Sequence, residues 1–218
     1  HGEGGKKAVI VITSNRGLAG GYNSNVIKLI TRGKLANEDL CIYAIGKKGK
    51  EALQKSYEIK ADYSAAIDEP AYAEAIMICK DVLNAFAEGE ISEIYLAYTA
   101  FKNTVVHIPT LLKLLPVEVA KEEGKEEQEI ADKALMNFEP EDEEALELII
   151  PKYITSLIYG GMVEAVASEN GARMQAMDSA TSNAEEMIDN LTLLYNRARQ
   201  GSITQELTEI IAGANVIS

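Results

Sequence analysis

The stretch richest in groups that could hold an anion is Thr13-Ser14-Asn15-Arg16-Gly17-Leu18-Ala19-Gly20-Gly21-Tyr22-Asn23. It follows a β-branched run, Lys6 to Ile12, and precedes an apolar helical pattern. Dinucleotide and phosphate folds place their cradle of backbone amides at that point. The spacing fits neither fingerprint: there is no GxGxxG, and no Lys-Ser/Thr follows the glycines as a Walker loop requires. The other reading is a tight strand-to-helix connection whose glycines take positive φ or allow close backbone approach. The spacing favours that second reading.

The remaining inventory offers little for catalysis. His1 stands at the terminus, His107 lies in a strand pattern, and no GxSxG elbow occurs. Carboxylates are plentiful but scattered along surface helices, where solvation explains them. Cys41 and Cys79 are the two thiols, and neither sits in a CxxC or Cys/His cluster, so both read as reduced, partly buried residues. No metal site, cofactor or catalytic residue is expected. Lys and Arg number 21 against 34 Asp and Glu, a net charge of −13. This balance argues against a nucleic-acid binder, which needs clustered bases to displace counterions. The longest apolar runs, Ala8 to Ile12 and Leu146 to Ile150, fall far short of the roughly 20 residues that span a bilayer.

The elements that would position these residues change character along the 218-residue chain. Strand patterns at Lys6–Ile12 and Leu40–Ile45 alternate with helix patterns after Asn23-Ser24-Asn25, whose side chains can cap, and at Lys48–Lys55. A further helix runs from about Ala71 to Ala87, and strands Ile94–Tyr98 and Thr104–Ile108 flank a hairpin turn at Phe101-Lys102-Asn103. The order predicts a small Rossmann-like α/β domain over residues 1–140, with a mostly parallel sheet, helices on its faces and an antiparallel edge. Glu118 to Asp132 reads as a solvated loop or marginal helix, and Ala134–Phe138 as a short returning strand.

Residues 141–218 read as a long helix. This part carries 13 acids against four bases, −9 of the total charge. Pro151 suits the first turn, with Leu146–Ile150 as a separate short helix before it. A helix from Pro151 to Ala214 would be about 96 Å long, far beyond the roughly 17 Å radius of gyration of a compact chain of this size. It is expected to project. Met177, Ala180, Ala184, Met187, Leu191, Leu194 and Ala198 recur at spacings of 3, 4, 3, 4, 3 and 4, a coiled-coil seam. In the same phase upstream stand Tyr159, Val163, Val166, Asn170 and Arg173. The seam calls for a second helix that this chain does not offer, or for a second copy of the chain.

Ile12-Thr-Ser-Asn-Arg-Gly-Leu-Ala-Gly-Gly-Tyr-Asn23 resembles the strand-turn motif of the gamma-subunit family of F-type ATP synthases. Arg173 to Ala184 and Leu194 to Ala214 are similar to that family's carboxy-terminal helix. Asn15 stands where most members carry an acid. The resemblance implies a non-catalytic rotor: two antiparallel helices form a shaft inside a ring of three alpha and three beta subunits, turned by a membrane c-ring that proton or sodium flow drives. It implies that Arg199, Gln200 and Thr204, with Gln205 and Glu206 beside them, meet a catch loop of a beta subunit. It also implies that Glu139 faces the membrane ring, that the sheet domain docks the epsilon subunit, and that the protein sits peripherally on the cytoplasmic face of a bacterial membrane. Members begin with a long basic helix that this sequence is expected to lack, so the chain by itself is expected to reconstitute coupling poorly. A self-associating coiled-coil scaffold and a nucleotide-binding Rossmann-like protein stand as the alternatives.

Overall fold

The computed structural model describes residues 5–117 and 142–217. Five strands form one sheet in the order β3-β2-β1-β4-β5, with β1 at Lys6–Ile12, β2 at Leu40–Ile45, β3 at Glu58–Asp62, β4 at Ile91–Phe101 and β5 at His107–Leu115. β1 lies parallel to both β2 and β4, β2 is parallel to β3, and only the β4–β5 hairpin is antiparallel. The fold is therefore the mostly parallel α/β sheet with an antiparallel edge that the alternation of patterns predicts.

Both faces are covered, which is why β1 and β2 read as near-continuous apolar runs. Val9, Val11, Ile42 and Ala44 point to one face, against Val26 and Ile30 of α1 (Tyr22–Thr31) and Leu53 of α2 (Lys47–Leu53). Ala8, Ile10, Ile12, Tyr43 and Ile45 point to the other, against Ile78 and Val82 of α3 (Tyr72–Ala87) and Ile154, Ile158, Met162 and Ala165 of α4 (Asp142–Ile217). The first half of the long helix thus completes the second apolar layer. Gly161 permits the approach, since a Cβ there would stand 3.3 Å from both Ile12 Cδ1 and Leu96 Cδ2. The chain divides into two compact units, His1–Met174 and Gln175–Ser218.

Several local expectations are corrected. β3 carries an alternating Glu-Ile-Lys-Ala-Asp pattern that was readable as a half-exposed strand but was not assigned one. α1 begins at Tyr22 behind Gly21 and has no side-chain cap; the Asn23 carboxamide instead accepts from Ser14 N at 2.9 Å. Thr104 to Val106 belong to the hairpin turn rather than to β5, because Asn103 Oδ1 accepts from Val105 N and Val106 N at 3.0 and 2.7 Å. Pro151 lies inside α4, not at the start of a new helix. Tertiary burial of Ile154 and Ile158 outweighs the missing amide, and the Pro151 carbonyl accepts from Thr155 Oγ1 at 2.7 Å. The expected loop at Glu118–Asp132 and strand at Ala134–Phe138 lie outside the described residues.

Candidate functional site

The glycine-rich turn sits at the carboxyl end of β1, the position expected of an anion cradle, but its polar side chains are engaged with the backbone of the body. Ser14 N donates to Asn23 Oδ1, Lys47 N to Asn15 Oδ1 at 2.9 Å and Gly49 N to Thr13 Oγ1 at 2.8 Å. Asn15 Nδ2 in turn donates to Ser64 O and Asp68 Oδ2 at 2.8 and 2.9 Å. Two side chains, Thr13 and Asn15, therefore tie the end of β1 to α2 and to the segment after β3, while Asn23 closes the turn on itself, which is the work of a structural knot. Positive φ falls on Gly20 as expected and also on Leu18, at 62°. Leu18 is 78% exposed, so an L-residue holds a left-handed conformation with its side chain in solvent.

The two thiols are buried and unbonded to one another. Burial pushes both up from the ordinary thiol range, which removes them from nucleophilic chemistry. Burial, with the Glu169 carboxylate behind it, also raises the Tyr22 hydroxyl far above its ordinary value.

The coiled-coil candidates occupy the carboxy-terminal unit. Met177, Ala180, Ala184, Met187, Leu191, Leu194 and Ala198 are all exposed, with Met187 at 67% and Leu191 at 64%. Upstream the phase turns. Tyr159 and Val166 are partly buried against the sheet core and Arg173 is ion-paired, whereas Ile149, Tyr153, Val163, Asn170 and Met174 are exposed.

The five residues expected at a beta-subunit loop lie on consecutive turns of α4 and are exposed. They do not share one face. At 100° per residue, Arg199 and Glu206 fall within about 20° of each other, Gln200 and Thr204 within about 40°, and Gln205 lies on a third side, about 110–120° from each pair. Thr204 Oγ1 donates to Gln200 O at 2.8 Å, and Gln205 Nε2 to Glu209 Oε1 at 3.0 Å. Arg199 has its guanidinium exposed. Glu139 lies outside the described residues. Among the described residues no helix is long and apolar enough to cross a membrane.

The chain matches the ATP synthase family over residues 2–217. It is similar to an ATP synthase gamma chain of Lachnoclostridium phytofermentans, 63% identical over 221 residues that cover 100% of this chain and 76% of the relative. A sodium-ion-specific ATP synthase gamma chain of Acetobacterium woodii is 40% identical, over 98% of this chain and 75% of that one. Among solved structures, a chain of the Euglena gracilis mitochondrial ATP synthase, described as OSCP/F1/c-ring in rotational state 3, shares the fold with a TM-score of 0.69 at 19% identity, over 97% of this chain and 73% of that one. With a mostly parallel five-stranded sheet, a 76-residue helix and this level of identity, the chain belongs to the gamma-chain family of F-type ATP synthases.

Proposed function

We propose that the chain works as the central-stalk rotor of an F-type ATP synthase, with residues 1–140 as its body and 141–218 as its shaft. It is a non-catalytic subunit. It passes torque between an ion-driven membrane ring and an alpha/beta hexamer, and so couples proton or sodium transport to ATP synthesis. The observation that carries this reading is the exposed 3-4 seam from Met177 to Ala198. An apolar seam of that spacing is built to pair with another helix. Shape asymmetry then favours a different conformation at each beta subunit in turn, a population shift imposed by differential contact.

In this reading Arg199, Gln200 and Thr204, flanked by Gln205 and Glu206, engage a beta-subunit catch loop. Glu139 faces the c-ring, the sheet body docks epsilon, and the protein lies peripherally on the cytoplasmic face of the bacterial membrane. The assignment of the shaft tip is tested by Arg199→Ala with Gln200→Ala in the assembled complex. The pair is exposed, so assembly is retained while ATP-driven proton pumping falls. Pumping equal to wild type would remove these two residues from the contact.

A further inference from the structure

Between Glu164 and Arg173 the long helix is held from two sides by loops at one end of the sheet. On one side stands the tip of the β4–β5 hairpin. Phe101 N donates to Glu164 Oε2 at 3.1 Å, and the buried Ser168 Oγ donates to Thr99 O at 3.2 Å. At Gly171 the hairpin touches the helix itself: a Cβ there would lie 2.7 Å from His107 Nε2 and 3.0 Å from Thr104 O. His107 Nε2 is buried without a hydrogen-bond partner, so packing rather than polarity sets the ring in place. On the other side stands the glycine-rich turn. Arg173 pairs with Glu169 at 2.5 Å and donates to Gly17 O at 3.4 Å, and the buried Tyr22 ring lies close enough to Glu169 to feel its charge.

Helical geometry shows why the two contacts differ from ordinary packing. Glu164, Ser168 and Gly171 fall within about 60° of one another, Glu169 and Arg173 within about 40°, and the two groups are centred about 150° apart. The sheet core, through Ile158 and Ala165, fills the angle between them. A helix held on a single face can roll across it. A helix gripped on two flanks and seated on a third cannot.

We propose that the hairpin tip and the glycine-rich turn form a clasp that locks the angle of α4 about its own axis, so that torque on the helix passes to the body through Glu164, Ser168, Gly171 and Arg173. This inference rests on the rotor reading only for its use; the lock itself is a property of the chain. Gly171→Ala is the informative change, because alanine is the better helix former and weakens nothing in α4 itself. It drives a methyl group into the His107 ring. Removing the ring as well, in Gly171→Ala with His107→Ala, takes away the nearer obstruction and leaves only the 3.0 Å approach to Thr104 O for a small shift to relieve.

The experiment measures the distance between spin labels at Lys102→Cys and Lys152→Cys, both exposed, in the full chain whose native thiols are buried. The parent is expected to give one narrow distribution, Gly171→Ala a shifted or broadened one, and the double variant a distribution close to the parent. In the assembled complex the same order holds for protons pumped per ATP hydrolysed: a several-fold loss for Gly171→Ala and recovery in the double variant. An unchanged distribution in Gly171→Ala would overturn the clasp, as would an altered one that leaves pumping per ATP intact. If the parent complex pumps no protons at all, the rotor reading fails, and the label distances still decide whether the clasp exists.

Discussion

Thr13 shows how much of the glycine-rich turn is devoted to holding the body together. Its Oγ1 accepts from Gly49 N and lies 3.3 Å from Gly46 O, at a fully buried position. Thr13→Ala leaves a buried amide without a partner and is expected to cost about 1–3 kcal/mol, read as a lower urea midpoint. A midpoint equal to the parent would mean that water replaces the hydroxyl. Glu93 supplies a pH dependence. The Lys113 ammonium, and behind it Lys7 and the Tyr95 hydroxyl, hold its carboxyl below the ordinary value of 4.5. A carboxyl depressed in the folded state contributes stability above its unfolded value and loses it as pH falls through the folded one. Glu93→Gln is therefore expected to be less stable than the parent by about 1 kcal/mol at pH 7, with the gap closing as pH falls below the ordinary carboxyl value of 4.5. A gap independent of pH would contradict the ion-pair origin. Residue types were legible at this scale while partners were not: Asn15 and Asn23 announce a turn, but nothing local says that Asn15 reaches Asp68, 53 positions away.

The elements were legible wherever burial imposes a period. β1, β2 and α3 emerge from apolar runs because the sheet is covered on both faces. β3 is hard to read because three of its five residues are charged and exposed, and the start of α4 is hidden because a proline inside a helix reads as a beginning. That difference is measurable. If Pro151 lies inside α4, Pro151→Ala restores a backbone hydrogen bond and is expected to raise stability by about 1–3 kcal/mol in a thermal melt. No gain would place the proline in a first turn, where its missing amide costs nothing. The seam makes a second demand of α4. Leu191 and Leu194 are exposed on adjacent turns, so the chain by itself is expected to self-associate, and Leu191→Lys with Leu194→Lys to reduce this in sedimentation. A parent that stays monomeric at high concentration would show that the seam is too rich in alanine to pair with itself.

For the whole molecule, the side chains of the glycine-rich turn hold the body together, and the seam residues Met177 to Ala198 are exposed. The sequence carries the 3-4 spacing of that seam openly. It could not foretell that the first half of the helix is also a core element, because Ile154, Ile158, Met162 and Ala165 find their partners on strands more than 50 positions away. The account rests on this chain turning as a rotor. The most direct measurement attaches a bead to Lys80→Cys, exposed on α3, in a complex whose alpha/beta hexamer is fixed to a surface and supplied with ATP. The account predicts rotation in one direction in thirds of a turn, one for each beta subunit. A bead that stays still while the hexamer hydrolyses ATP with this chain in place would contradict it.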